Sequence, residues 1–539
     1  MNALSRWLDV DLRQWRALVR ASLRVDLAAL QIAQARGGSW KVTPTVWLSL
    51  FIYTISGASP AMIAAVAADS LFSATVLVTI VGFMVMSTLL VGEGATIMSP
   101  SDHHVLGFRP VTSRTYLAVR IASLSVRTVI ITSCVALAPV LVFLLKGGLH
   151  PGRAVAALAA AYGAAFAVTL TIVATYGWML RLAGPTRMMR YASYTQFTAQ
   201  MLTWGGLVIV TQELGKRAVS GLSLTGSLWA LVYPGTWFAS YVSIASGNVG
   251  TMTIVPAALS IALLVALARA IGGKLSLGYA ESLGRLTTVA APRSARQSAG
   301  TRWLRLLDSE TRAVAILVRS HLQHDMRFRL GLISLIPITL MYMYMGGSPA
   351  DPFVAGAHAK RPSNAPVIQM ALLFLPITLR RVLVTSEKYR ASWIFHSTPA
   401  DHAKLVLSSR NIITLFFLAP YLLFLGAMFA YSFHEWSHAL LHAAFTGMLS
   451  YLVLQFTVMV NPQLPFSQPP EKDTQSGRMF GIMLGATLVG LGLYFLLTTV
   501  VYKSAIGMLL ATLVFLALAF AMDRVTRRRA LSAAHMAAE

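Results

Sequence analysis

Residues His434-Glu435-Trp436-Ser437-His438 form an H-E-x-x-H string. On one helix, imidazoles four residues apart share a face and bind zinc, and the carboxylate between them serves as general base for hydrolysis. His442 continues the same face.

The string resembles the zinc metalloprotease signature, and the resemblance implies an intramembrane protease with His434, His438 and His442 as metal ligands and Glu435 as base. Two features weigh against this chemistry. No clear third acidic ligand follows, and the string falls at the outer end of an apolar run, in a connection of only a few residues. A polar helix end is the simpler reading.

Phosphate chemistry on this chain is not expected. A phosphate-binding loop needs a full glycine-rich motif between a strand and a helix. The nearest string, Gly272-Gly273-Lys274-Leu275-Ser276, lacks the first glycine at that spacing and follows an apolar run. Ion coupling, as in a secondary transporter, usually needs ionisable groups in mid-membrane. None of the 19 Asp and Glu residues lies at the centre of an apolar run; Asp69, Glu213 and Glu435 sit at outer ends. Arg127 lies inside a run, close enough to its inner end to snorkel.

Two polar loops carry the remaining chemistry. The first holds Glu93, Pro100, Asp102, His103, Arg109, Pro110, Arg114 and Tyr116, closing at Arg120. The second holds Glu387, Tyr389, Arg390, Pro399, Asp401 and His402, closing at Arg410. Each has an acidic start, a turn at proline, a short polar helix and a final arginine. Two alignments stay open. One places Pro100, Asp102 and His103 over Pro399, Asp401 and His402; the other places Pro110 to Arg120 over Pro399 to Arg410.

The elements that must position these loops are apolar and long. A membrane crossing takes roughly 20 mostly apolar residues. Such runs fall near 44–66, 71–92, 121–145, 153–180, 197–213 and 251–271, then near 330–346, 364–380, 411–432, 437–460, 479–498 and 504–522. The stretch 214–250 is long and semi-apolar, either an external connection or one more crossing. Ahead of the first run, Leu8, Leu12, Trp15, Val19, Leu23, Leu27 and Leu30 recur at steps of three and four, with Arg13, Arg16, Arg20 and Arg24 on another face. This is a basic amphipathic helix suited to the headgroup plane. A second copy runs from about Arg302 to Arg329: Leu307-Asp308 falls over Leu8-Asp9, Arg312 over Arg13, Leu317-Val318-Arg319 over Leu18-Val19-Arg20, and Asp325 over Asp26, without a gap. A repeat this long indicates two related membrane halves fused in one chain. The halves are 1–271 and 301–539, joined by a polar linker, 272–300.

Composition agrees. The chain is 56% hydrophobic and only 12% charged, with mean hydropathy +0.65. A soluble domain carries about twice that charge fraction. The formal net charge of +25 does not point to nucleic acid, because the basic residues sit between apolar runs. There they act as topology signals and meet anionic lipid heads. With the N-terminus inside, most of the 44 Lys and Arg residues fall in inside segments; Lys146, Arg153, Lys216, Arg217, Lys360, Arg361 and Lys503 fall outside. The single cysteine, Cys134, excludes an intrachain disulfide. The N-terminal stretch has no cleavable signal pattern.

Proline, then a short polar helix, then a basic residue before the third span resembles the permease subunits of ABC-2 type exporters. The resemblance implies an all-α polytopic fold of about twelve spans in two pseudo-symmetric halves, each preceded by an amphipathic helix. It implies that both loops receive ATPases, so that Glu93 to Arg114 and Glu387 to His402 are coupling residues. It implies two copies of an ABC ATPase as partners, with ATP and Mg on those partners and no cofactor on this chain. It also implies a place in a bacterial inner (plasma) membrane with both termini cytoplasmic, and outward transport. The fusion departs from the family, which often has one six-span domain per chain. An apolar, Met-rich and aromatic interior points to lipid-like or amphiphilic cargo.

Overall fold

The computed structural model describes residues 11–29, 32–34, 40–42, 44–89, 111–216, 224, 229–272, 307–325, 328–329, 332, 336, 351–353, 365–386, 389–398, 401–468 and 476–538. The chain divides into two compact units, Met1–Pro292 and Arg293–Glu539.

In the first unit, helix α1 (Leu12–Ala29) carries the expected stripe. Leu12, Trp15, Leu18 and Val19 are half-buried, while Arg13, Arg16 and Arg20 are exposed. Asp11 caps it: Oδ1 accepts the backbone N–H of Arg13 at 2.8 Å and of Gln14 at 3.2 Å. A small antiparallel ribbon follows, β1 (Ile32–Gln34) and β2 (Trp40–Val42). This ribbon is a small addition to the all-helical expectation. Then come α2 (Pro44–Ser56), α3 (Ala58–Val66), α4 (Ser70–Thr88), α5 (Ser113–Leu145), α6 (Pro151–Lys216), α7 (Trp229–Val232), α8 (Pro234–Ala245) and α9 (Thr251–Ala270).

Helix α4 is central, packed on α5, α6 and α8, and most of its apolar length is buried. Close packing relies on small side chains. Ala157, Ala160, Ala161, Ala164 and Ala165 of α6 are all buried, and a Cβ on Gly163 would lie 2.9 Å from the ring of Phe238. Beyond the end of α5, Lys146 Nζ donates to the carbonyls of Ala64 (2.7 Å) and Ala67 (2.5 Å), so a cation closes the C-terminus of α3. Partial burial holds the Lys146 amine below its ordinary range, with Arg153 adding to the effect.

One expectation is corrected here. Runs 153–180 and 197–213 are not separated by a loop. Helix α6 is unbroken over 66 residues. It rises about 100 Å, over three times the hydrocarbon thickness of roughly 30 Å. Arg181, Arg187 and Arg190 suggested a turn, but charge alone does not break a helix; apart from Gly184 and Pro185 the segment is rich in helix-compatible Leu, Met, Arg and Ala.

The second unit contains α10 (Ser309–His324), α11 (Ala365–Val384), a 3-10 turn (Tyr389–Ser392), α12 (Trp393–Ser397), α13 (His402–Ile413), a π turn (Thr414–Leu418), α14 (Ala419–Phe433), α15 (Trp436–Val460), α16 (Ser476–Thr499), a second 3-10 turn (Val501–Lys503) and α17 (Ala505–Ala538). Helix α10 packs on α13, α11 on α15 and α16, and α17 on α15 and α13. Most of the apolar length of α15 is buried, whereas none of the most apolar stretch of α17 is.

Among the described residues seven helices are long and apolar enough to cross a membrane, with two shorter apolar stretches, Leu50–Val66 and Leu488–Lys503. The protein is a helical, membrane-embedded one. The expected crossing near 330–346 and the linker beyond Gly272 lie largely outside the described residues.

Candidate functional site

The second polar loop leaves α11 as an elbow with a fixed root. Backbone N–H groups of Phe466 and Gln468 donate to the carbonyls of Leu383 (2.9 Å) and Val384 (3.1 Å), and Ser386 N–H donates back to Gln468 (2.9 Å). Helix α10 reaches the same turn: the His321 ring stacks on Phe466 with centroids 3.7 Å apart. Tyr389 and Arg390 then lie on the 3-10 turn, and α12 follows at once. Its Trp393 is 63% and Ile394 47% exposed, so the elbow presents two large apolar side chains outward next to exposed Arg390. Asp401 ends the elbow. Its Oδ1 accepts the N–H of Ala403 at 2.9 Å and of Lys404 at 3.2 Å, which starts α13 at His402.

Helix α10 is pinned alongside. Glu310 lies 3.6 Å from Lys404, and the Thr311 and Ser408 hydroxyls are 2.9 Å apart. The Ser309 hydroxyl first, then Glu310's own backbone amide, hold the Glu310 carboxyl below the usual range, with Lys404 adding to the shift.

In the first unit the matching place is the start of α5. Thr112 caps it, accepting from Thr115 N–H at 3.2 Å, and Asp11 N–H of the α1 cap donates to Thr115 at 3.4 Å. Thr112 follows Pro110 by two residues, as Asp401 follows Pro399. The caps therefore match in the alignment of Pro110 to Arg120 with Pro399 to Arg410. In that alignment Thr115 corresponds to Lys404, and each of the two touches the first turn or cap of its amphipathic helix. Arg114 lies on the first turn of α5. Glu93, Pro100, Asp102, His103, Arg109, Pro110, Glu387 and Pro399 lie outside the described residues.

Several residues that tie this region together were not singled out from sequence. Arg380 of α11 is 1% exposed; its Nη1 donates to Ser409 Oγ (2.6 Å) and its Nη2 to the Gln463 carbonyl (2.5 Å). Asp523 of α17 is another: its Oδ1 accepts from Nη1 of Arg410, the arginine that closes the loop, at 2.5 Å. A signal for Arg380 was present: it shares the spacing of buried Leu373, Ile377 and Val384 on one helix face.

The H-E-x-x-H string is not on one helix. Helix α14 ends at His434, which takes a left-handed backbone conformation (φ 58°), and Glu435 is the N-cap of α15. Two antiparallel helices that pack closely reverse here within two residues, and the left-handed residue makes the reversal. The two imidazoles thus do not share a helix face. His438 Nδ1 is 2.7 Å from Asp351 Oδ2 and its ring stacks on Phe353; His442 Nδ1 is 3.0 Å from the Tyr502 hydroxyl. Among the described residues no group of three or more His, Cys, Asp and Glu is placed to hold a metal ion. The arrangement instead ties the 351–353 segment, α15 and the Val501–Lys503 turn together. Metal analysis of the purified protein is expected to find zinc well below one per chain, and Glu435→Gln to change no activity. Stoichiometric zinc, with proteolysis lost in Glu435→Gln, would reverse this.

Comparison with protein families, curated proteins and solved structures finds no match to this chain.

Proposed function

We propose that this protein is the membrane subunit of an ABC-2-like exporter, moved by two separate ATPase subunits that carry ATP and Mg. On this reading the chain has about twelve spans in two related halves, sits in a bacterial inner membrane with both termini inside, and moves an amphiphilic or lipid-like substrate outward. One observation carries the proposal: in each unit an amphipathic helix is docked on the helix that leaves a polar loop, α1 on α5 and α10 on α13. A docked brace at the exit of a short, outward-facing elbow suits a surface on which another subunit pushes. The exposed Trp393 and Ile394 give that surface an apolar anchor of the kind that dominates interface energetics.

The test is a photo-crosslinking amino acid at position 393 in cells expressing the full chain. The expected adduct contains an ATP-hydrolysing protein. Adducts with lipid alone overturn the proposal.

A further inference from the structure

Three consecutive residues of α13 bond to three different helices. Ser408 meets Thr311 of α10 at 2.9 Å, Ser409 accepts from Arg380 of α11 at 2.6 Å, and Arg410 donates to Asp523 of α17 at 2.5 Å. Successive residues of an α-helix point about 100° apart, so one turn can address three neighbours. The chain enters this turn directly from the elbow. It leaves through the π turn Thr414–Leu418, where Thr414 Oγ1 donates to the Arg410 carbonyl at 3.0 Å, and Pro420 follows. Proline supplies no N–H, so the helical ladder is interrupted where the π turn widens it.

Helix α17 shares this connection: besides the ion pair, its Ala530 is buried in one apolar cluster with Ala403 and Val406 of α13. With its most apolar stretch unburied, polar holds on it among the described residues include Gln455 Nε2 of α15 to its Ala519 carbonyl (2.9 Å) and its Arg529 Nη1 to the Met459 carbonyl of α15 (3.2 Å). Arg410, itself buried and lying 5.6 Å from the Tyr451 ring centroid, gives α13 a polar hold on α17 beside that apolar packing.

We infer that Ser408, Ser409 and Arg410 are positioning residues for the transport cycle: they pass a displacement of the elbow to α10, α11 and α17 together, and the π turn is the joint that separates the displaced part from α14. The inference rests on the exporter reading only for what displaces the elbow.

The full chain carrying Cys134→Ser has no other cysteine, so spin labels can be placed at will. Two pairs serve, Ser397→Cys with Arg528→Cys (elbow to α17) and Ser397→Cys with Ile316→Cys (elbow to α10), all at exposed positions. Interspin distances are measured in the isolated chain, and in the chain with its co-purified ATPase with and without ATP, Mg and vanadate. Arg410→Gln is expected to broaden the 397–528 distribution and remove its nucleotide-dependent shift, leaving 397–316 unchanged. Arg410→Asp combined with Asp523→Arg is expected to restore both. A parent-like 397–528 distribution in Arg410→Gln overturns the inference. If no ATPase is recovered the exporter reading fails, and the isolated-chain distributions still decide whether α17 follows α13 through Arg410.

Discussion

Trp393→Asp is expected to strip the ATPase from the purified chain. An exposed aromatic at the centre of an interface contributes about 2 kcal/mol or more, and 1.4 kcal/mol is tenfold in affinity, so a loss of roughly 30-fold follows. Aspartate adds a charge that docking would have to desolvate. The fold itself should tolerate the change, because Trp393 is 63% exposed on a five-residue helix and surface substitutions usually stay within about 0.5 kcal/mol. Trp393→Phe should keep most of the partner. Pull-down yield of ATPase per chain, at equal membrane levels of both variants, is the readout. If Trp393 were an interfacial membrane anchor instead, Trp393→Asp would leave the ATPase bound and lower the membrane level of the chain.

The largest effect on stability is expected at Gly57. This residue joins α2 to α3 directly against α5, and a Cβ there would lie 2.2 Å from the Val135 carbonyl oxygen. The obstruction is backbone within a long helix and cannot swing aside. Overpacking typically costs about 1–3 kcal/mol, and Gly57→Ala should fall at the upper end. Gly152→Ala is the control: it lies in the first turn of α6 with nothing within 4 Å of its Cβ position. Relief of glycine's backbone entropy there should stabilise by roughly 0.5–1 kcal/mol. Thermal unfolding in mild detergent compares the two; equal midpoints would mean that α2 and α3 do not pack on α5 as described.

Legibility in the sequence followed the physics of each segment. The stripe from Leu12 to Val19 was readable because helical periodicity and burial coincide, and Asp11 sits where a cap belongs. The second amphipathic helix was expected from about 302 to 329, and among the described residues it runs Ser309–His324. The continuity of α6 was hidden because charge marks topology but does not by itself end a helix. The H-E-x-x-H string misled for a related reason: four-residue spacing implies a shared face only if no helix end intervenes, and the left-handed His434 creates one.

The residues that hold the second loop in place were only half visible in the sequence. Asp401 and the closing Arg410 were singled out by their place in the loop. Asp523 and Arg380, the partners that turn α13 into a junction, lie far away in sequence, and nothing local marks such pairs. That Thr112 and Asp401 both cap helices is not marked by the sequence; Pro100, Asp102 and His103, on which the other loop alignment rests, lie outside the described residues.

The most direct measurement is the mass of the intact complex, released from membranes in mild detergent and weighed by native mass spectrometry. One chain with two ATPase subunits is the expected species. A stable chain recovered without any ATPase, at concentrations where nucleotide-driven transporters hold their motors, would contradict the account.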